Sequence, residues 1–172
     1  MKNETFKSKI ESKILTKVDK ISFSEEKSRI KDVDVEGGWK TFSIIDEGTG
    51  DTIGTMDFSY PKEADSEKFL KIDHVNVEKK YSGQNFGIVL CEKLIEIAKN
   101  NNFDGIDSGD IVEAGGIAVW KKLIDKGYKV NVNPLIKKKW MQFLDIYNKG
   151  QIFKEKLEVE RESSVFKIYL KE

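Results

Sequence analysis

The 172-residue sequence predicts a single α+β domain. Three observations carry this reading. Three β-patterned segments follow one another through short links over residues 39–77, which implies an antiparallel meander. After Gly87 the apolar spacing switches from a period of two to that of a helix. Extended and helical segments then alternate up to a closing strand at Val165–Leu170. A chain of this length buries about 70% of its unfolded surface, so it needs neither disulfide nor metal to fold.

In order along the chain, Phe6, Ile10 and Ile14 recur every four residues, and Leu15 and Val18 widen the stripe, which predicts a short amphipathic helix. Ile21 and Phe23 alternate with polar residues as in a strand, and Ser24 before two glutamates reads as the start of a helix. Trp39–Asp46 and Thr52–Tyr60 flank the turn cluster Gly48-Thr49-Gly50-Asp51 and form a hairpin. Phe69–Val77 is the third strand of the meander. Regular alternation there puts Leu70, Ile72, His74 and Asn76 on one face, and Phe69, Lys71, Asp73, Val75 and Val77 on the other.

Residues 87, 90, 94, 97 and 98 make one helical face, which Asn100-Asn101-Asn102 ends. Gly105–Ser108 is a short strand, Gly115–Lys126 a helix with Gly127 as its stop, and Tyr128–Val132 a strand. Asn133-Pro134 places a cap before a proline, and Ile136, Trp140, Phe143, Leu144 and Tyr147 stripe the helix that follows. Residues 151–160 read as extended. Residues 1–35 are poorly defined, and 133–160 has the character of an insertion carrying one amphipathic helix.

Thirty basic residues balance thirty acidic ones, which argues against nucleic-acid binding by net charge. The charge is uneven: residues 121–139 hold seven lysines and one acid, and residues 104–113 hold four acids and no base. Only Arg29 and Arg161 are arginine, so forks suited to bidentate phosphate contacts are scarce. The run Lys137-Lys138-Lys139 reads as a solvated helix face or, more sharply, as a local anion contact. No apolar run approaches the ~20 residues of a membrane span. The lone cysteine, Cys91, and the absence of a leader pattern lead us to expect a cytoplasmic protein. Cys91 lies in a helix stripe and reads as a buried structural thiol. One cysteine with one histidine makes no zinc set.

The stretch that carries chemistry is a strand, a glycine-containing loop and a helix, running Ile72-Asp73-His74-Val75-Asn76-Val77 to Tyr81-Ser82-Gly83-Gln84-Asn85-Phe86-Gly87-Ile88. A loop entering a helix leaves backbone N–H groups without intrahelical partners, and with the helix dipole these suit an anion such as a pyrophosphate. Gly83 and Gly87 let the backbone approach it. A plain connection is the alternative. The spacing is not the Walker pattern, which argues against a nucleotide triphosphatase.

Val77 to Ile88 resembles the acetyl-CoA signature of the GNAT acyl-CoA N-acyltransferases, in which a strand ending in Val leads through Gln/Arg-x-x-Gly-x-Gly/Ala into a long helix. The six motif positions fall on Ser82, Gly83, Gln84, Asn85, Phe86 and Gly87. Ile117–Tyr128 is similar to the family's later helix, which ends in Gly-Phe or Gly-Tyr. The resemblance spans residues 39–130 and the final strand. It implies a mixed, mostly antiparallel sheet with helices on both faces, and acetyl-CoA as co-substrate. It also implies transfer of the acetyl group to an amine acceptor, small molecule or protein, by direct attack in a ternary complex. Backbone N–H groups near Val75, Asn76 and Val77 would orient the cofactor, and those of Ser82 to Ile88 would hold its pyrophosphate.

Two departures stand out. Ser82 replaces Gln or Arg, and Asn85 replaces the middle glycine, although asparagine tolerates left-handed backbone geometry. Backbone donors would then carry the phosphates, aided by Lys79 or Lys80. The tyrosine that serves many members as leaving-group acid aligns with Leu123, or more loosely with Trp120, and neither donates such a proton. For a general base, Asp73 and His74 lie on the strand that lines the cofactor in the family. Histidine's ordinary pKa of ~6.5 suits the task. Regular alternation separates the two. Glu36, Glu47 and Glu113 are further carboxylates near loop ends, and the acidic run 104–113 reads either as an attractant for a cationic amine or as a solvated loop. The competing function is a catalytically inactive binding or interaction module. A homodimer is one assembly open to either.

Overall fold

A computed structural model describes residues 20–27, 38–161 and 163–170. The helix expected at residues 6–18, and Glu36, lie outside them. The strands are β1 (Ile21–Lys27), β2 (Trp39–Asp46), β3 (Thr52–Ser59), β4 (Phe69–Val77), β5 (Gly105–Asp107), β6 (Ile111–Val112), β7 (Val130–Val132), β8 (Leu157–Glu158) and β9 (Phe166–Tyr169). The helices are α1 (Phe86–Asn100), between β4 and β5; α2 (Ala114–Asp125), between β6 and β7; and α3 (Lys137–Asn148), between β7 and β8.

Seven strands form one sheet in the order β1-β2-β3-β4-β5-β9-β7. Every neighbouring pair is antiparallel except β4 and β5. This is the mixed, mostly antiparallel sheet expected, with α1 as the crossover that a parallel pair requires. Ser24–Glu26 corrects the expectation of a helix start: these residues continue β1, in register with Ser43, Phe42 and Thr41. Pairing with β2 along the full length of β1 overrides the local cap signal.

The β2–β3 hairpin closes on Asp46, whose carbonyl accepts from Gly50 N–H at 2.7 Å and whose carboxylate accepts from Gly48 N–H at 2.9 Å. Between β3 and β4 the register slips by one residue: Asp57 pairs with His74 and Phe58 with Ile72, leaving Asp73 unpaired. A bulge of this kind exchanges the faces beyond it. Residues paired across neighbouring strands share a face. Val77 pairs with Gly54, whose Cα sits so close to α1 that an added Cβ would lie 3.4 Å from Leu90 Cδ1. Val75 and Val77 therefore face the helices together with Leu70 and Ile72, and the uniform alternation expected for β4 does not hold past Ile72.

The core lies between this face and the helices. Leu90, Leu94 and Ala98 of α1 and Ile117 and Leu123 of α2 are fully buried. Trp120 of α2 stacks on Phe166 of β9 at 5.2 Å between centroids, and Trp140 of α3 meets the same ring edge-on at 5.2 Å. The three described helices thus share the core with the sheet.

Asn133 caps the turn at 134–136 by accepting from Leu135 N–H at 3.0 Å, and α3 starts one turn later than the proline suggested. The segment 133–160 is tied into the core through Trp140, Phe143, Phe153 and Leu157. A small second sheet adds to this, with Ile111 and Val112 opposite Glu158 and Leu157. No described helix is long and apolar enough to cross a membrane.

Candidate active site

β4 and β5 pair only over Phe69–Lys71 and Gly105–Asp107. Beyond that the strands part, and β4 continues for six residues, Ile72 to Val77, without a partner on that side among the described residues. The gap opens into a cleft of 530 Å³ between β4, the loop to α1, and α2.

The inner side of β4 offers backbone donors. Glu78 N–H donates to Ile53 C=O of β3 at 2.8 Å. Successive amides of an extended strand alternate sides. Those of Asn76 and His74 therefore point toward β3, and those of Val75 and Val77 point into the gap. The side chains of Val75 and Val77 line the cleft.

At the far end of the cleft lie Tyr81, Ser82, Gly83, Asn85, Phe86 and Gly87. Gly83 and Asn85 both have left-handed backbones, with φ of 78° and 66°. The tolerance expected of Asn85 is thus used. No side chain caps α1, and its first intrahelical bonds run from Ile88 and Val89 N–H to Asn85 C=O at 3.1 and 3.4 Å. Among the described residues, the amides of Phe86 and Gly87 donate to no carbonyl.

Gly87 has a second reason to be glycine: a Cβ there would lie 2.8 Å from Val119 Cγ2, so it sets the approach of α1 to α2. Asn85→Ala is expected to lower stability by about 1–2 kcal/mol, the cost of a left-handed residue without asparagine's local bonding. Asn85→Gly should cost less than Asn85→Ala. Thermal melts of the pair test the assignment, which fails if Ala matches Gly.

Asn76, Gln84 and Ile88 are placed away from the cleft lining. The Asn76 amide donates to Glu78 at 3.2 Å, and Ile88 is buried in the core. Gln84 folds back to donate to the Lys80 carbonyl at 3.4 Å, which leaves its buried Oε1 without a partner among the described residues.

Asp73 and His74 both line the cleft, because the bulge at Asp73 breaks the alternation that would have separated them. The Asp73 carboxyl is raised above the ordinary carboxylate value. Loss of water on the sheet is the main cause. The neighbouring Asp57 and Asp107 add to it, while a hydrogen bond from Ser59 and the charge of Lys71 oppose it.

Trp120 lines the cleft as well as the core, Leu123 is fully buried, and neither supplies an acidic proton. Cys91 is buried beneath the cleft, and burial together with Glu92 pushes its thiol up to about 12, which makes it inert.

Much of the acidic run serves structure. Asp104 accepts from Lys68 N–H at 2.6 Å, and Asp107 accepts from Gly109 N–H at 2.6 Å and from the Ser164 hydroxyl. Glu113, at the start of α2, is the run's one acid lining the cleft. Lys80 is paired with Asp51 rather than turned to the loop. The lysine that reaches the loop comes from α2: Lys122 Nζ donates to Asn85 Oδ1 at 2.8 Å. Thirty-seven residues separate the two, so no local motif announced the contact. Among the described residues no cluster of His, Cys, Asp and Glu suits a metal.

The strand order and the three helices make an α+β architecture around a mixed, mostly antiparallel sheet. No protein-family model and no curated sequence matches the chain. Among solved structures, it is similar to a Pyrococcus furiosus protein described as an acetyl transferase, at 26% identity and a TM-score of 0.44, over 56% of this chain and 63% of that one. It is also similar to a GNAT family acetyltransferase from Staphylococcus aureus, at 16% identity and a TM-score of 0.47, over 78% and 70%. A GNAT family acetyltransferase from Elizabethkingia anophelis with acetyl-CoA bound matches at 13% identity and a TM-score of 0.45, over 81% and 98%.

Proposed function

We propose that the protein is an N-acetyltransferase that moves an acetyl group from acetyl-CoA to an amine. One observation supports this above the others. The unpaired side of β4 and the uncapped start of α1 open into the same cleft, presenting two sets of backbone donors to one elongated ligand. Acetyl-CoA, when bound, supplies the thioester that the amine nitrogen attacks; the C–N bond forms, the C–S bond breaks, and the thiolate leaves.

The chain's residues have separate tasks in this reading. Val75 and Val77 N–H orient the pantetheine arm as a missing strand would. Ser82, Gly83 and Asn85 to Gly87 hold the pyrophosphate on backbone dipoles. Asp73 is the base that takes the amine proton, directly or through water, and its raised carboxyl is the better matched to that transfer. The departing thiolate takes its proton from solvent, because Trp120 and Leu123 offer none.

Acetyl-CoA at a hundred times its Kd should stabilise the fold by about 2.7 kcal/mol. For a chain of this size that raises Tm by about 5–10 °C. Absence of any shift at millimolar acetyl-CoA would overturn the reading. The position of Trp120 and Leu123 favours one second reading, a domain that binds acetyl-CoA without turnover. Thiol release with a panel of small amines and peptides separates the two.

A further inference from the structure

We infer that Lys122 is the phosphate-binding cation of the cleft, taking the place of the basic residue that the loop at 82–88 lacks. This rests on the acetyl-CoA reading above. Among the described residues lining the cleft, Lys122 is the one lysine or arginine. Its two neighbours on and after α2 are neutralised: Lys121 pairs with Asp125, and Lys126 with Glu92.

Lys122 instead donates to an uncharged amide oxygen, Asn85 Oδ1, at 2.8 Å. An ammonium has three donors and no acceptor, so one is held by Asn85, while no carboxylate of the described residues forms an ion pair with it. Lys80 cannot replace it, since it is bound to Asp51 and lies over the Tyr81 ring, 4.9 Å from its centroid. Asn85 therefore serves two ends at once: its left-handed backbone shapes the loop, and its side chain holds the lysine where an anion would meet it. The selectivity that follows is for the phosphorylated cofactor over its pantetheine fragment.

Binding of acetyl-CoA and of acetyl-pantetheine, which has no phosphate, to wild type, Lys122→Gln and Lys122→Arg provides the test. Glutamine keeps an N–H donor for Asn85 while removing the charge. Lys122→Gln should weaken acetyl-CoA by about tenfold or more, the usual size of a charge-assisted contact. It should leave acetyl-pantetheine unchanged and flatten the salt dependence of acetyl-CoA binding, and Lys122→Arg should restore most of the loss. Wild-type affinity for acetyl-CoA in Lys122→Gln, or an equal loss for both ligands, overturns the role of Lys122 alone. A wild-type protein that binds no acetyl-CoA overturns the cofactor reading, and this inference with it.

Discussion

Alanine at Gly105 should unfold the protein at lower temperature than a methyl added to any other described glycine. A Cβ there would lie 1.8 Å from the Ile168 carbonyl oxygen and 2.7 Å from Phe69 Cε1. The first obstacle is backbone and cannot rotate aside. Gly105 starts β5, the three-residue strand that joins β4 to β9, so relief requires moving a central strand. Overpacking of this severity costs about 3 kcal/mol, or about 6–12 °C in Tm. Gly115→Ala is the control. Nothing lies within 4 Å of a Cβ there, and the site is in the first turn of α2, so its Tm should hold or rise. Equal melting of Gly105→Ala and wild type would mean that β4, β5 and β9 are not in this register.

Asp73→Asn should nearly abolish acetyl transfer while leaving the fold as stable or more so. Loss of a positioned base lowers kcat by ~10²–10⁴-fold. KM for acetyl-CoA should change little, because the contacts assigned to the cofactor are backbone groups and Lys122. The stability effect has the opposite sign. The folded protein raises the Asp73 carboxyl above its ordinary value. Its stabilising contribution is therefore complete below the ordinary carboxylate pKa and lost as pH rises through the folded value. Above the folded value the ionised group is a liability that asparagine removes. In the wild type the acid limb of kcat should lie above the ordinary aspartate value, and it should vanish in Asp73→Asn. His74→Asn should keep that limb. A mutant that loses activity and melts early in parallel would assign Asp73 to structure instead.

The local pattern revealed the hairpin, the period switch after Gly87 and the caps at Asn133 and Gly127, because each is written in neighbouring residues. The bulge at Asp73 was hidden, since β4 reads as a regular strand and only its pairing with β3 shows the slip. That slip decides which residues enter the cleft: it brings Asp73 beside His74 and turns Val75 and Val77 inward. The true extent of β1 was hidden for the same reason, the register with β2 outweighing a cap signal at Ser24. The contact of Lys122 could not be found from the loop motif, because it reaches Asn85 from another helix across thirty-seven residues. The acids at 104–113 looked like a charge patch, whereas Asp104 and Asp107 each hold a backbone amide.

The parting of β4 from β5 gives the sheet three edges where a continuous one would have two. Among the described residues, β1 and β7 are the outer strands, and an outer strand presents its unpaired side outward. The inner edge is different in kind. Its donors at Val75 and Val77 stand inside a 530 Å³ enclosure walled by α2 and the loop to α1. Backbone hydrogen bonding is by itself blind to what it pairs with. In the acetyl-CoA reading proposed above, confinement is what would make it select a slender arm over a second polypeptide strand.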